Sequence, residues 1–176
     1  MRPIVLATLA VLLATRGAAE EECTNGRDDV DPATAEFVNR GLITELIGWI
    51  AISTMYDVSA TYSSPPEILF CDVGEIIAYE SDDLLVDALL GAVYDRSRQQ
   101  IHLVRPWSPD DPFDVSVLLH ELIHDVQLNN RDWPCVGAPE FEAYWLQDKW
   151  LSEHGKRLDL SWRYVRELSE CPVDIE

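Results

Sequence analysis

The chain has 176 residues, 47% of them hydrophobic, with 32 acidic against 13 basic side chains and a net charge of −19. That length suits one domain around one core. The acid excess argues against nucleic acid and against anionic membrane surfaces as partners, because phosphate would be repelled at nearly every approach.

Met1–Ala19 reads as a secretory signal. Arg2 supplies the positive start, Ile4 to Ala14 form an apolar run too short to span a bilayer, and Gly17-Ala18-Ala19 offers small residues for cleavage after Ala19. The expected mature chain is a single exported domain, residues 20–176, without a membrane anchor. Losing Arg2 and Arg16 leaves 11 basic against 32 acidic residues, a net of −21. Four cysteines (Cys23, Cys71, Cys135 and Cys171) behind a signal predict two disulfides. Cys23 and Cys171 lie near the two mature termini, which favours that pair, with Cys71–Cys135 as the other.

Glu20–Asp31 is an acidic lead containing Asn25-Gly26, expected as an irregular arm tied down through Cys23. Pro32 to about Tyr56 carries Phe37, Leu42, Leu46, Trp49 and Ile50 at helical spacing. Ser63-Ser64-Pro65-Pro66 breaks the chain, Ile68-Leu69-Phe70 reads as a short strand, and the stretch from there to Tyr79 stays unassigned. Ala92–Asp95 and Gln100–Val104, separated by polar Arg96–Gln99, predict a β-hairpin. His102, in the second arm, is expected as a satisfied or exposed strand residue rather than a ligand. After a proline-rich loop, Asp111-Pro112-Phe113-Asp114 starts a helix, with a capping acid, proline in the first turn and a second acid following.

That helix runs to about Asn129, burying Val115, Leu118, Leu119, Leu122, Ile123 and Val126. This pattern leaves His120, His124 and Gln127 on an adjoining stripe, and His120-Glu121-Leu122-Ile123-His124 is an HExxH run. Residues four apart share a helix face, so two imidazoles can hold one metal ion while Glu121 takes a proton from a water bound to it. Catalytic zinc usually takes a third protein ligand. Positions 127 and 130 are Gln and Asn, which removes the HExxHxxGxxH pattern. A carboxylate from a following helix remains, and Pro139 opens such a helix, which stops near Gly155. Its candidates are Glu140 and Glu142, about 160° apart around an ideal helix. Glu140, Tyr144 and Gln147 share one face, and Gln127 and Gln147 are placed to meet between the helices. Ser161–Ser169 reads as a last short helix.

With Glu140-Phe141-Glu142-Ala143 after the HExxH run, the chain resembles the gluzincin metallopeptidases, whose following helix carries Glu-x-x-Ala-Asp. The resemblance implies that Glu140 is the third zinc ligand. Tyr144 stands where that pattern has its supporting Asp, a departure in the residue that steadies the ligands. More narrowly, residues 92–155 are similar to a group of small exported bacterial HExxH proteins of unassigned role, which implies a zinc-site fold and no particular substrate.

The expected fold is α+β and zincin-like: a small sheet, the HExxH helix beneath it, and the Glu140 helix closing the site. The expected activity is zinc-dependent hydrolysis of a peptide or protein substrate, with His120, His124 and Glu140 as ligands and Glu121 as base. Strand Gln100–Val104 is expected as an edge that pairs with extended peptide. Tyr94, Tyr144, His154 and Arg157 are open candidates for stabilising the oxyanion. The rival expectation is a non-catalytic zinc-binding or partner-recognition module on the same scaffold.

Overall fold

Asp111 caps a helix with its side chain accepting from the Phe113 N–H, and Pro112 sits in the first turn where no donor is needed. The result, α3 (Pro112–Asn130), is the central rod of the computed structural model, which describes residue 23, residues 38–79 and residues 82–172. Every residue from Leu118 to Gln127 is buried, the polar ones included. A helix covered on all sides needs neighbours on all sides. Helices α1 (Arg40–Ser53), α2 (Ser59–Ser63) and α4 (Glu140–Glu153) pack on it, together with a sheet. The last helix, α5 (Trp162–Leu168), packs on α4.

The sheet holds β1 (Glu67–Cys71), β5 (Gln100–Val104) and β4 (Ala92–Asp95), in the order β1-β5-β4. β1 runs parallel to β5, and β4 antiparallel to it, so Tyr94 faces Ile101 and Leu69 faces His102. β2 (Ile76–Tyr79) and β3 (Asp82–Leu85) form a separate two-stranded antiparallel sheet. Leu46, Ile50, Ile101, Leu118, Leu122 and Leu146 belong to one core between the helices and the sheet. Cys71, Ile77, Val86 and Val104 make a second, smaller one.

The architecture is α+β. The hairpin, α3 and α4 fall where the sequence places them. α1 ends at Ser53 rather than near Tyr56, because Thr54 turns extended and both its N–H and its hydroxyl bond the Ile50 carbonyl. Residues 32–37, the signal and all of the acidic arm except Cys23 lie outside the described residues.

Two expectations are corrected. β5 is the middle strand and not an edge, because β1 returns parallel to it on the side away from β4. The two outer strands of that sheet are β1 and β4, and β4 is the one beside α3. The disulfides are Cys23–Cys71 and Cys135–Cys171, with Cα separations of 4.5 and 5.6 Å. Cys23 sits against the second core beside the end of β1, whereas Cys171 follows α5 to the loop between α3 and α4. The chain ends are therefore pinned to different parts of the fold. At the second tether the backbones come so close that a Cβ on Gly137 would run into the Leu168 carbonyl oxygen.

Two disulfides and no free cysteine fit a chain that matures outside a reducing compartment. No helix among the described residues is long and apolar enough to cross a membrane.

Candidate metal centre

His120 and His124 project from α3 one turn apart, 7% and 8% exposed, with their Nε2 atoms 3.0 Å from each other. The loop of residues 131–139 reverses the chain, and the first residue of α4, Glu140, faces both rings. Its two carboxylate oxygens lie 3.4 Å from His120 Nε2 and 3.3 Å from His124 Nε2.

The proton inventory shows what these three atoms need. His120 Nδ1 lies 3.1 Å from the side-chain oxygen of Gln147, and His124 Nδ1 lies 3.0 Å from that of Gln127. Both amides are oriented by their other ends. Gln147 Nε2 donates to Ser116 Oγ, whose own hydrogen goes to the Phe113 carbonyl. Gln127 Nε2 donates to the Pro139 carbonyl and to Glu142. Each imidazole therefore carries its proton on Nδ1 and offers a bare lone pair at Nε2. With both rings neutral, two lone pairs and a carboxylate converge, an arrangement that a cation, metal or proton, resolves. Tetrahedral zinc with bonds of about 2.0–2.1 Å sets its ligand atoms about 3.3 Å apart, which fits these three spacings. The residues present fit a zinc ion, and these three would hold it.

The local electrostatics agree. Burial opposes the charge on Glu140, yet the two imidazoles hold its carboxyl far below the usual carboxylate range. Burial likewise opposes a charge on His124, but Glu140 and Glu121 outweigh it and raise the imidazole pKa, so without metal the demand for a cation falls on His124. Glu121, 7% exposed, is pushed up by burial; the two histidines and a backbone hydrogen bond from Tyr94 on β4 offset part of that.

Glu142, the other candidate ligand, is engaged elsewhere. It accepts from the Tyr56 hydroxyl at 2.5 Å and from Gln127 Nε2 at 2.9 Å, and it faces Arg131 at 3.7 Å. Burial and this carboxylate push the Tyr56 phenol up to about 12. Gln127 and Gln147 do not meet between the helices; each orients one imidazole. Tyr144 instead lays its ring against His120, centroids 4.5 Å apart.

Of the other oxyanion candidates, the Tyr94 hydroxyl donates to buried Asp125 at 2.6 Å. His154 bonds the Trp150 carbonyl and stacks on the Trp150 ring, and Arg157 pairs with Asp148 at 2.6 Å. Asp125, next to His124, was not singled out from the sequence. It also accepts from Thr61 and Asn129, tying α2 and β4 to the helix that carries the site. An acid between His124 and Val126, on the face of the helix packed against the rest of the fold, is the available signal. His102 is apart from this cluster: it is buried, its Nδ1 is 3.6 Å from Cys71 Sγ, and its Nε2 has no partner among the described residues. It is thus neither exposed nor fully satisfied.

The three convergent residues and Glu121 line a cavity of about 470 Å³ between β4, α3, α4 and the loop of residues 131–139.

The family model that matches the chain, over residues 35–176, describes a domain of unknown function, DUF6647. The chain belongs to that family. No curated protein and no solved structure matches. The DUF6647 match covers every helix and strand of the fold, so all three convergent residues, Glu121 and both orienting glutamines fall within it.

Gln147→Leu, which keeps volume and removes the acceptor for His120 Nδ1, is expected to weaken zinc binding by about 10–100-fold. Titration against a competing chelator measures this. An unchanged affinity would mean that the imidazole is held by packing alone.

Proposed function

We propose that the protein is an exported zinc-dependent hydrolase acting on peptides, with a zincin-like fold and a gluzincin-type ligand set of His120, His124 and Glu140. The observation that carries the reading is the convergence of three ligand-type atoms, from His120, His124 and Glu140, beside a buried carboxylate, Glu121, that is not one of them. A site built only to hold a metal has no use for that fourth group. Zinc bound there supplies Lewis acidity, polarising a carbonyl and making water acidic near neutral pH.

The remaining steps belong to the chain. Glu121 takes a proton from a water molecule, the oxygen attacks the substrate carbonyl carbon, and Glu121 passes the proton to the amide nitrogen as the C–N bond breaks. Its burial raises the pKa towards the range where a carboxylate can both accept and return a proton. Its hydrogen bond from the Tyr94 N–H aims it, and places the β4 edge next to the reacting centre.

That edge suits an extended substrate. The Val104 N–H bonds the Gly91 carbonyl, so by the alternation of an antiparallel ladder Val93 and Asp95 face β5 while the backbone groups of Ala92 and Tyr94 face away. With the Tyr94 N–H on Glu121, the Ala92 amide and the Ala92 and Tyr94 carbonyls remain for a peptide added as a further strand.

The test is a screen of the zinc-loaded protein against a broad peptide library, repeated after removing the metal with a chelator and restoring it. Cleavage that disappears and returns with zinc supports the reading. A protein that binds zinc and cleaves no peptide would instead be a zinc-binding or recognition module.

A further inference from the structure

Hydrolysis of an amide passes through a tetrahedral species whose carbonyl oxygen carries negative charge, and a preorganised hydrogen-bond donor aimed at that oxygen commonly contributes a large share of the rate. Among the residues around the cavity most donors are already committed. The Tyr94 hydroxyl is bound to Asp125, Trp133 Nε1 reaches the Gln127 carbonyl, and Arg96 is turned towards the Leu128 carbonyl in the last turn of α3. Tyr56, just outside, is held by Glu142.

Tyr144 differs from all of these. It stands one turn after Glu140 on the same face of α4 and lines the cavity beside His120, His124 and Glu121. Its ring is fixed against the His120 imidazole at an interplanar angle of 58°. Its hydroxyl makes no hydrogen bond with any described residue. A rigid phenol with an unused O–H is held at the edge of the reaction centre. Gln147 already orients His120, which relieves position 144 of the supporting role that Asp has in the gluzincin pattern.

We propose that the Tyr144 hydroxyl donates a hydrogen bond to the substrate carbonyl oxygen as that oxygen takes on charge, an assignment that rests on the hydrolase reading above. The phenol keeps its proton throughout. The proton from water travels by Glu121 to the departing nitrogen, and the oxyanion returns its electron pair to the carbonyl as the C–N bond breaks.

Tyr144→Phe in the full, zinc-loaded chain keeps the ring on His120 and removes only the donor. Zinc content and KM should stay within about threefold of wild type, while kcat falls by about 100–1000-fold. A second readout needs no turnover: by calorimetry, a phosphinic pseudopeptide that mimics the tetrahedral anion should bind about 100-fold more weakly. The affinity of a cleavage-product peptide, which lacks that anion, should be unchanged. Equal affinity of wild type and variant for the phosphinic compound overturns this assignment alone, since it leaves the ring as a packing element. A wild type that neither cleaves peptides nor binds the compound overturns the hydrolase reading, and this assignment with it.

Discussion

Glu121→Gln is expected to slow peptide hydrolysis by about a hundred- to ten-thousandfold while folding and zinc content stay those of wild type. Glutamine has the size of glutamate, and its amide oxygen can still accept the Tyr94 N–H that positions residue 121. Only the ability to take a proton is lost. Zinc retention follows because Glu121 is not among the three convergent donors. Initial rates on a peptide selected from the library, with metal content measured on the same samples, decide the matter. Undiminished cleavage by the variant would remove Glu121 from the reaction and with it the main argument for catalysis.

The second large effect is on the metal itself. Glu140→Ala should reduce zinc affinity by more than the 10–100-fold typical of losing an outer partner, because it deletes one of the three proposed ligands and the charge that would offset the cation. The informative contrast is Glu142→Ala, two residues away on the same helix. Glu142 reaches the site only through Gln127, and Gln127 keeps the Pro139 carbonyl as an anchor when Glu142 is gone. Its loss should leave zinc affinity within about tenfold of wild type. Metal analysis of both variants after dialysis against a weak chelator separates the two carboxylates. Zinc retained by the Glu140 variant and lost by the Glu142 variant would reverse the assignment.

The helical part of this site was open to reading because its information is local. HExxH sets two imidazoles one turn apart, Asp111-Pro112 marks where α3 begins, and the helix spacing separates Glu140 from Glu142. What was hidden depends on contacts between distant segments. Gln147 bonds His120 across two helices, and nothing in the residues around either one states that pairing. The place of β5 in the middle of the sheet depends on β1, which joins it from 33 residues earlier in register. β3 opens with Asp82-Asp83, residues that strands disfavour, so its pairing with β2 left little trace in the composition. The expected disulfide pairing fails for a related reason. Nearness of two cysteines to the chain ends says nothing about where those ends dock, and here one is tied to β1 and the other to the loop that delivers Glu140.

That loop also holds the one glycine, among the described residues, where the main chain of another segment leaves no room for a side chain. Any residue larger than glycine at position 137 would have to displace the carbonyl of Leu168, at the end of the helix that the second disulfide ties down. The consequence is evolutionary. In an alignment of related DUF6647 chains that keep the Cys135–Cys171 pair, Gly137 should vary as little as His120, His124 and Glu140, although it touches neither metal nor substrate. Ranking positions by invariance alone would therefore place a spacer among the site residues. Relatives that carry a bulkier residue at 137 while keeping both cysteines would show that the close approach is not a shared constraint.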